Sequence, residues 1–107
     1  MVILRFEIWL VNLDSTLGSE IAEIRPCVVI SPNEVNKFLN AVTVAALTST
    51  RKAYPTRVDC VFEGKMGQIA FDQMKSVDKQ RLIKKLSRLD NTTSRLVCTT
   101  LQELFAY

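Results

Sequence analysis

Arg25 stands directly before Pro26, and that pair is the strongest local signal for chemistry in the chain. Proline holds the residue before it in an extended backbone, so the guanidinium projects from a defined position. A guanidinium so held can grip a phosphate through two parallel N–H donors. The same arginine can instead pair with Glu23 or Glu20. A second group is Thr48-Ser49-Thr50, followed at once by Arg51-Lys52. Hydroxyls beside cations suit an anionic phosphate, although threonine and serine also end strands and begin turns. Glu20, in the loop sequence Gly18-Ser19-Glu20, offers a carboxylate able to take a proton from a sugar hydroxyl, or simply a solvated loop acid. Asp72-Gln73 reads similarly: the carboxylate can accept from an exocyclic amine of a base, or pair with Lys75. Trp9 fits a core, with stacking on a base as the minority use. The chain has no histidine. Acid–base work near neutral pH therefore falls to carboxylates, hydroxyls, lysine or arginine, and triads or metal sites that need histidine are excluded.

The elements that must carry these groups fit one domain, residues 1–107. A hydrophobic content of 48% is that of a folded chain. The net charge of +3 is unevenly spread. Residues 1–50 hold three basic against five acidic side chains, and residues 51–107 hold eleven against six. A basic second half fits a phosphate backbone as partner, or a solvated surface. Cys27, Cys60 and Cys98 are odd in number and widely spaced, with no zinc pattern, which predicts three buried free thiols in a reducing cytosol. The apolar start is too short for a signal sequence and no run reaches membrane-spanning length, so a cytoplasmic protein is expected.

Residues 2–13 and 27–30 read as strands around a polar loop. Ser31-Pro32-Asn33-Glu34 predicts a capping box opening one helical turn to about Phe38. Strands are expected at 41–49, at 56–62 just after Pro55, and at 67–71, ending at Asp72. Glu63-Gly64-Lys65 marks a tight turn between the last two. Residues 78–85 look like a basic helical segment capped by Asp78, with 86–89 either its end or a short strand. A final helix, capped by Asn91 or Thr92, would set Val97, Leu101, Leu104 and Phe105 on one apolar face. Short strands at regular spacing predict a mainly β fold, a small closed antiparallel barrel with a C-terminal helix over one open end or a partner surface.

The order and spacing of Glu7-Ile-Trp-Leu-Val-Asn-Leu-Asp14, Gly18-Ser-Glu20, Arg25-Pro26, Val28-Val-Ile-Ser31, Thr48-Ser49, Tyr54-Pro55-Thr56 and Asp72-Gln-Met-Lys-Ser-Val-Asp78 resemble the MazF/PemK/Kid family of toxin endoribonucleases. The resemblance implies an SH3-like barrel that forms a homodimer. It implies metal-independent, cofactor-free cleavage of single-stranded RNA to 2′,3′-cyclic phosphate and 5′-hydroxyl ends, and neutralisation by an antitoxin. It maps Arg25 and Thr48 as the catalytic pair, Glu20 as the loop glutamate and Asp72 as the aspartate after the fifth strand. Ser19, Ser49, Arg51, Lys52, Thr56, Asp72 and Gln73 are the expected RNA-contacting residues. The chain departs from the family pattern at Glu23 and Ile24, where glycine and a polar residue often precede Arg-Pro. It also has Ser19 and Ala70 where some relatives carry histidine and arginine, Phe6 in place of a glycine, and Ser15 in place of a proline. Two competing readings follow. One is a gyrase-binding toxin of the same barrel type as CcdB, working through its C-terminal Phe105-Ala106-Tyr107. The other is a family member that binds RNA or antitoxin without cutting.

Overall fold

A computed structural model describes residues 1–13 and 23–107. Strand β1 (Glu7–Asn12) is followed by β2 (Ile24–Val29), helix α1 (Asn33–Phe38), β3 (Ala41–Thr48), β4 (Arg57–Phe62) and β5 (Lys65–Asp78). One 3-10 turn (Lys79–Arg81), β6 (Leu82–Arg88) and helix α2 (Asn91–Leu104) complete the chain. The strands form one antiparallel sheet in the order β4-β5-β3-β2-β1-β6.

The period of two in the three central strands sorts their side chains onto two faces. Ile8, Val28, Ala45 and Leu47 join Val58, Ile69 and Phe71 in one buried cluster, which Val97 of α2 completes. Trp9, Val11, Cys27, Val29, Val42, Val44 and Ala46 point the other way, against Ile3, Val77 and Leu82. Burying each valine, leucine, isoleucine or phenylalanine among them is worth about 1.5–3 kcal/mol. The sheet curls around these clusters as a half-barrel. Its edges β4 and β6 are not bonded to each other, which corrects the expected closed barrel. Instead α2 packs against β4, and a covered edge does not need closure.

Several local expectations change. Phe6 sits at φ 71, a backbone conformation that favours glycine. That conformation suits the glycine which the family resemblance leads one to expect there, and here the ring packs on the first cluster. Ser31 does not cap α1: its hydroxyl donates to Asn36 Oδ1 and accepts from the Thr43 N–H at 3.0 Å, so the capping box is absent. Residues 78–85 are not a helix. Asp78 does cap, accepting from the Gln80 N–H at 2.8 Å, but only for one turn before β6 pairs with β1. The cap of α2 is Asp90, which accepts from the Thr93 N–H at 2.7 Å, in place of Asn91 or Thr92. Of the expected apolar stripe, Val97 is buried and Leu101 packs on the core, while Leu104 is partly and Phe105 largely exposed.

Trp9 is core. It is buried and its Nε1 donates to Glu7 Oε1 at 3.1 Å. Glu7 is itself buried, accepting also from the Leu4 N–H at 2.8 Å and pairing with Lys85 Nζ at 2.9 Å. Burial pushes its carboxyl up, but Lys85 and the two N–H donors outweigh that and leave it lowered. Two of the three thiols are buried as expected, and Cys98 is half-buried. Burial pushes Cys27 up to about 12 and Cys60 up to about 11, so neither forms thiolate near neutrality. In a thiol titration with Ellman's reagent at pH 8, only Cys98 is expected to react before unfolding, and all three after it. Fast reaction of two or three thiols in the native state would contradict this burial. Among the described residues no helix is long and apolar enough to cross a membrane.

Candidate active site

Arg25 and Thr48 sit on neighbouring strands at the same end of the sheet and line one pocket of about 430 Å³. The β2–β3 ladder runs from Cys27 to Val29, and Pro26 has no N–H with which to extend it. The Leu47 carbonyl instead accepts from Arg25 Nη2 at 3.0 Å. One end of the guanidinium is thereby anchored on β3, next to Thr48. The other nitrogen, Nη1, has two long contacts, to Glu23 Oε1 and Gln73 Oε1, both at 3.5 Å. The side chain is 29% exposed. Two weak partners at the open end are easily displaced by an incoming anion, whereas the backbone anchor stays. The Glu23 pairing foreseen from the sequence therefore exists, but it does not occupy the whole group.

Thr48 Oγ1 accepts from the Thr50 N–H at 3.1 Å. This uses a lone pair and leaves the hydroxyl hydrogen to donate into the pocket. Ser49 and Thr50 line the same pocket. Gly67 on β5 makes this arrangement possible. A Cβ there would lie 2.9 Å from the Thr48 carbonyl oxygen and 3.7 Å from its carbon, and both are backbone atoms that cannot swing aside. Gly67→Ala is expected to lower stability by about 1–3 kcal/mol, read as a lower urea midpoint at unchanged slope. An unchanged midpoint would mean that β3 is free to yield at Thr48.

The pairing of β3 with β5 explains the placement of Asp72 and Gln73. Ala45 faces Met74, yet its neighbour Ala46 faces Ala70, so Phe71, Asp72 and Gln73 are extra on β5. This bulge lets the strand run on to Asp78, beyond the end expected at Asp72, and re-aims the intervening side chains. Gln73 reaches Arg25. Asp72 is tied to Arg57 and Thr56. Its Oδ1 accepts from Arg57 Nε at 2.8 Å and from Thr56 Oγ1 at 3.0 Å, and its Oδ2 accepts from Arg57 Nη2 at 3.1 Å. The paired guanidinium is the main reason the Asp72 carboxyl is lowered from 3.8 to about 2.

Arg57 and Gln68 are residues that sequence reading missed. Arg57 Nη1 donates to the Thr50 carbonyl at 3.2 Å. Gln68 is buried, with its Oε1 accepting from the Lys52 N–H at 2.9 Å and its Nε2 donating to the Lys52 carbonyl at 3.1 Å. Gln68 so takes the place of a missing strand for the 49–56 segment. No local pattern marks either residue, because their partners lie 7 to 16 positions away. Arg51 pairs with Asp59 at 3.2 Å, and Arg51 and Lys52 line a second hollow beside the first. Ser19 and Glu20 lie outside the described residues. Among the described residues no three His, Cys, Asp or Glu side chains gather where they would hold one metal ion.

The chain was compared with known proteins. Residues 4–105 match the family model described as PemK-like, MazF-like toxin of type II toxin-antitoxin system. Endoribonuclease EndoA of Bacillus subtilis (strain 168) is 31% identical over 109 residues, covering 95% of this chain and 93% of that protein. The crystal structure of MazF from Deinococcus radiodurans superposes with a TM-score of 0.80 at 24% identity, over 100% of this chain and 99% of that one. A mycobacterial endoribonuclease in complex with its cognate antitoxin gives 0.79 at 23% identity, over 94% of this chain and 91% of that one. The structural likenesses establish the fold, and the family model and the curated relative carry the membership. This chain belongs to the PemK-like, MazF-like toxins of type II toxin–antitoxin systems.

Proposed function

We propose that this chain is an endoribonuclease toxin in which Arg25 and Thr48 grip the scissile phosphate of single-stranded RNA. The observation that carries this reading is their shared pocket, with Arg25 fixed on the Leu47 carbonyl and only weakly held at its other end. In the reaction the 2′-oxygen attacks the adjacent phosphorus, forming the O2′–P bond and breaking the P–O5′ bond. The 2′-hydroxyl loses a proton and the departing 5′-oxygen gains one, giving a 2′,3′-cyclic phosphate and a 5′-hydroxyl. Negative charge grows on the non-bridging oxygens in the transition state. A donor already fixed in place costs no reorganisation when that charge appears, which makes Arg25 the principal stabiliser. A guanidinium keeps its proton, so it works here through charge and hydrogen bonding. The Thr48 hydroxyl donates to the same phosphate. Glu20 takes the 2′-hydroxyl proton in this scheme, since the chain has no histidine to do so.

Ser49 and Gln73 contact the RNA beside the scissile phosphate, and Arg51 and Lys52 continue the basic surface past the pocket. Two copies related by a two-fold axis join their pockets into one groove, and a cognate antitoxin competes with RNA for it in the cytoplasm. The solved relative bound to its antitoxin supports that pairing. The test is incubation of purified protein with a long single-stranded RNA in EDTA. Fragments with 5′-hydroxyl and cyclic phosphate ends are expected. No fragments from a folded protein would overturn the nuclease reading in favour of a toxin that acts by binding.

A further inference from the structure

The pocket that holds Arg25 and Thr48 is also lined by residues with no assigned role. Its floor is apolar, made by Leu47, Cys60 and Phe62, with Met66 at the side. The Cys60 thiol is neutral at working pH, so this floor carries no charge. The rim opposite Arg25 is the β4–β5 turn, which places Glu63 and Lys65 at the pocket mouth. A volume near 430 Å³ lies in the range of small-molecule sites.

Glu63 is the telling residue. It sits at φ 52 and Gly64 at φ 74, the backbone of a two-residue hairpin turn that favours Asn-Gly or Asp-Gly. Glutamate is a poor choice for that conformation, and a longer carboxylate arm is what it adds over asparagine or aspartate. Local strain kept at a pocket rim motivates a functional reading.

We infer that this pocket is a nucleobase subsite, seating one nucleotide that flanks the scissile phosphate, with Glu63 selecting adenine or cytosine, which carry an amine where uracil carries a carbonyl oxygen. The base lies against Phe62 and Met66, as unstacked RNA bases do on aromatic side chains. The Glu63 carboxylate accepts from the N4 amine of cytosine or the N6 amine of adenine. Uracil presents an oxygen at that edge, which the carboxylate repels. The inference rests on the nuclease reading for its placement beside the cut, but its binding test does not need cleavage.

The experiment has two readouts. In the first, AMP, CMP and UMP are titrated into protein carrying ¹³C-methyl methionine. The Met66 methyl is expected to shift with AMP and CMP and much less with UMP, and Glu63→Gln is expected to abolish the difference, because an amide can also donate to the uracil oxygen. In the second, RNAs that vary only at the two nucleotides flanking the mapped cut are cleaved. At one of them A or C is expected to be preferred over U by about tenfold or more in kcat/KM, and Glu63→Gln should bring this below about threefold. Glu63→Asn should lose the same preference while raising Tm by about 2–5 °C, since asparagine suits the turn. Failure of cleavage with the Met66 shifts intact would overturn the nuclease reading and leave the subsite standing. Equal Met66 shifts for all three nucleotides, or no shift at all, would overturn the subsite. So would an unchanged base preference in both Glu63 variants.

Discussion

Arg25→Ala is expected to slow cleavage at saturating RNA by about 10²–10³-fold, the usual effect of removing one preorganised donor from a developing oxyanion. The loss belongs in kcat more than in KM. In the proposed mechanism the growing charge on the phosphate meets Arg25 in the transition state, whereas ground-state RNA would also be held by Arg51 and Lys52 in the neighbouring hollow. Thermal unfolding should change little, because the side chain is 29% exposed and its one short bond is to the Leu47 carbonyl. Arg25→Lys should recover only a small part of the activity. A lysine keeps the charge but cannot hold Leu47 with one nitrogen while presenting a second to phosphate. Glu23→Gln should act in the opposite sense, tightening RNA binding at low salt, since it removes the charge 3.5 Å from Nη1. Single-turnover cleavage with melting curves for all three variants checks the set. Full activity in a folded Arg25→Ala protein would remove this residue from the mechanism.

Arg25 was legible in the sequence because its constraint is local: the proline beside it fixes its backbone. The same holds for β3, whose Val42, Val44 and Ala46 keep a clean alternation, and for the Glu63-Gly64 turn, where glycine marks the positive φ. Phe6 was flagged only as a missing glycine, and the structure supplies the reason in its φ of 71. Residues 78–85 misled for a physical reason. Asp78 and the basic run after it read as a capped helix, yet the cap serves one 3-10 turn, and Leu82 to Lys85 follow that turn. In the fold they belong to β6, whose pairing with β1 shifts register between Ile8 and Trp9 and again between Leu10 and Val11. Two register shifts break the period-two pattern that would have announced a strand. The role of Asp72 was hidden in another way. Its carboxylate reads as a base acceptor or a partner of Lys75, because Arg57 lies 15 residues earlier and meets it only where β4 pairs with β5, with Arg57 opposite Ala70.

That hidden pair yields the second large effect. A continuous set of bonds runs from Asp72 through Arg57 Nη1 to the Thr50 carbonyl, and from the Thr50 N–H to Thr48 Oγ1. Arg57 is 6% exposed and held by both carboxylate oxygens, so it is a rigid strut and not a surface cation. It lines the hollow of Arg51 and Lys52, and through Thr50 it acts as a positioning residue for the Thr48 hydroxyl. Arg57→Ala is expected to lower kcat by about 10–100-fold, the scale on which a misplacement of about 1 Å acts, with KM changed less. Asp72→Asn should give a smaller loss in the same direction, since an amide still meets one guanidinium nitrogen. If Asp72 instead read a base directly, its replacement would alter sequence preference and leave kcat on the best RNA nearly intact. The pH dependence separates the two further. The Asp72 carboxyl is held down to about 2, chiefly by Arg57, from an ordinary 3.8. A group lowered in the folded state adds stability that is complete above its unfolded value and is lost as pH falls through the folded one. The wild type should therefore lose this part of its stability between about pH 4 and 2, and Asp72→Asn should lack that component of the acid transition. Matching acid unfolding curves, together with unchanged kcat in Arg57→Ala, would reduce the strut to a surface ion pair without influence on Thr48.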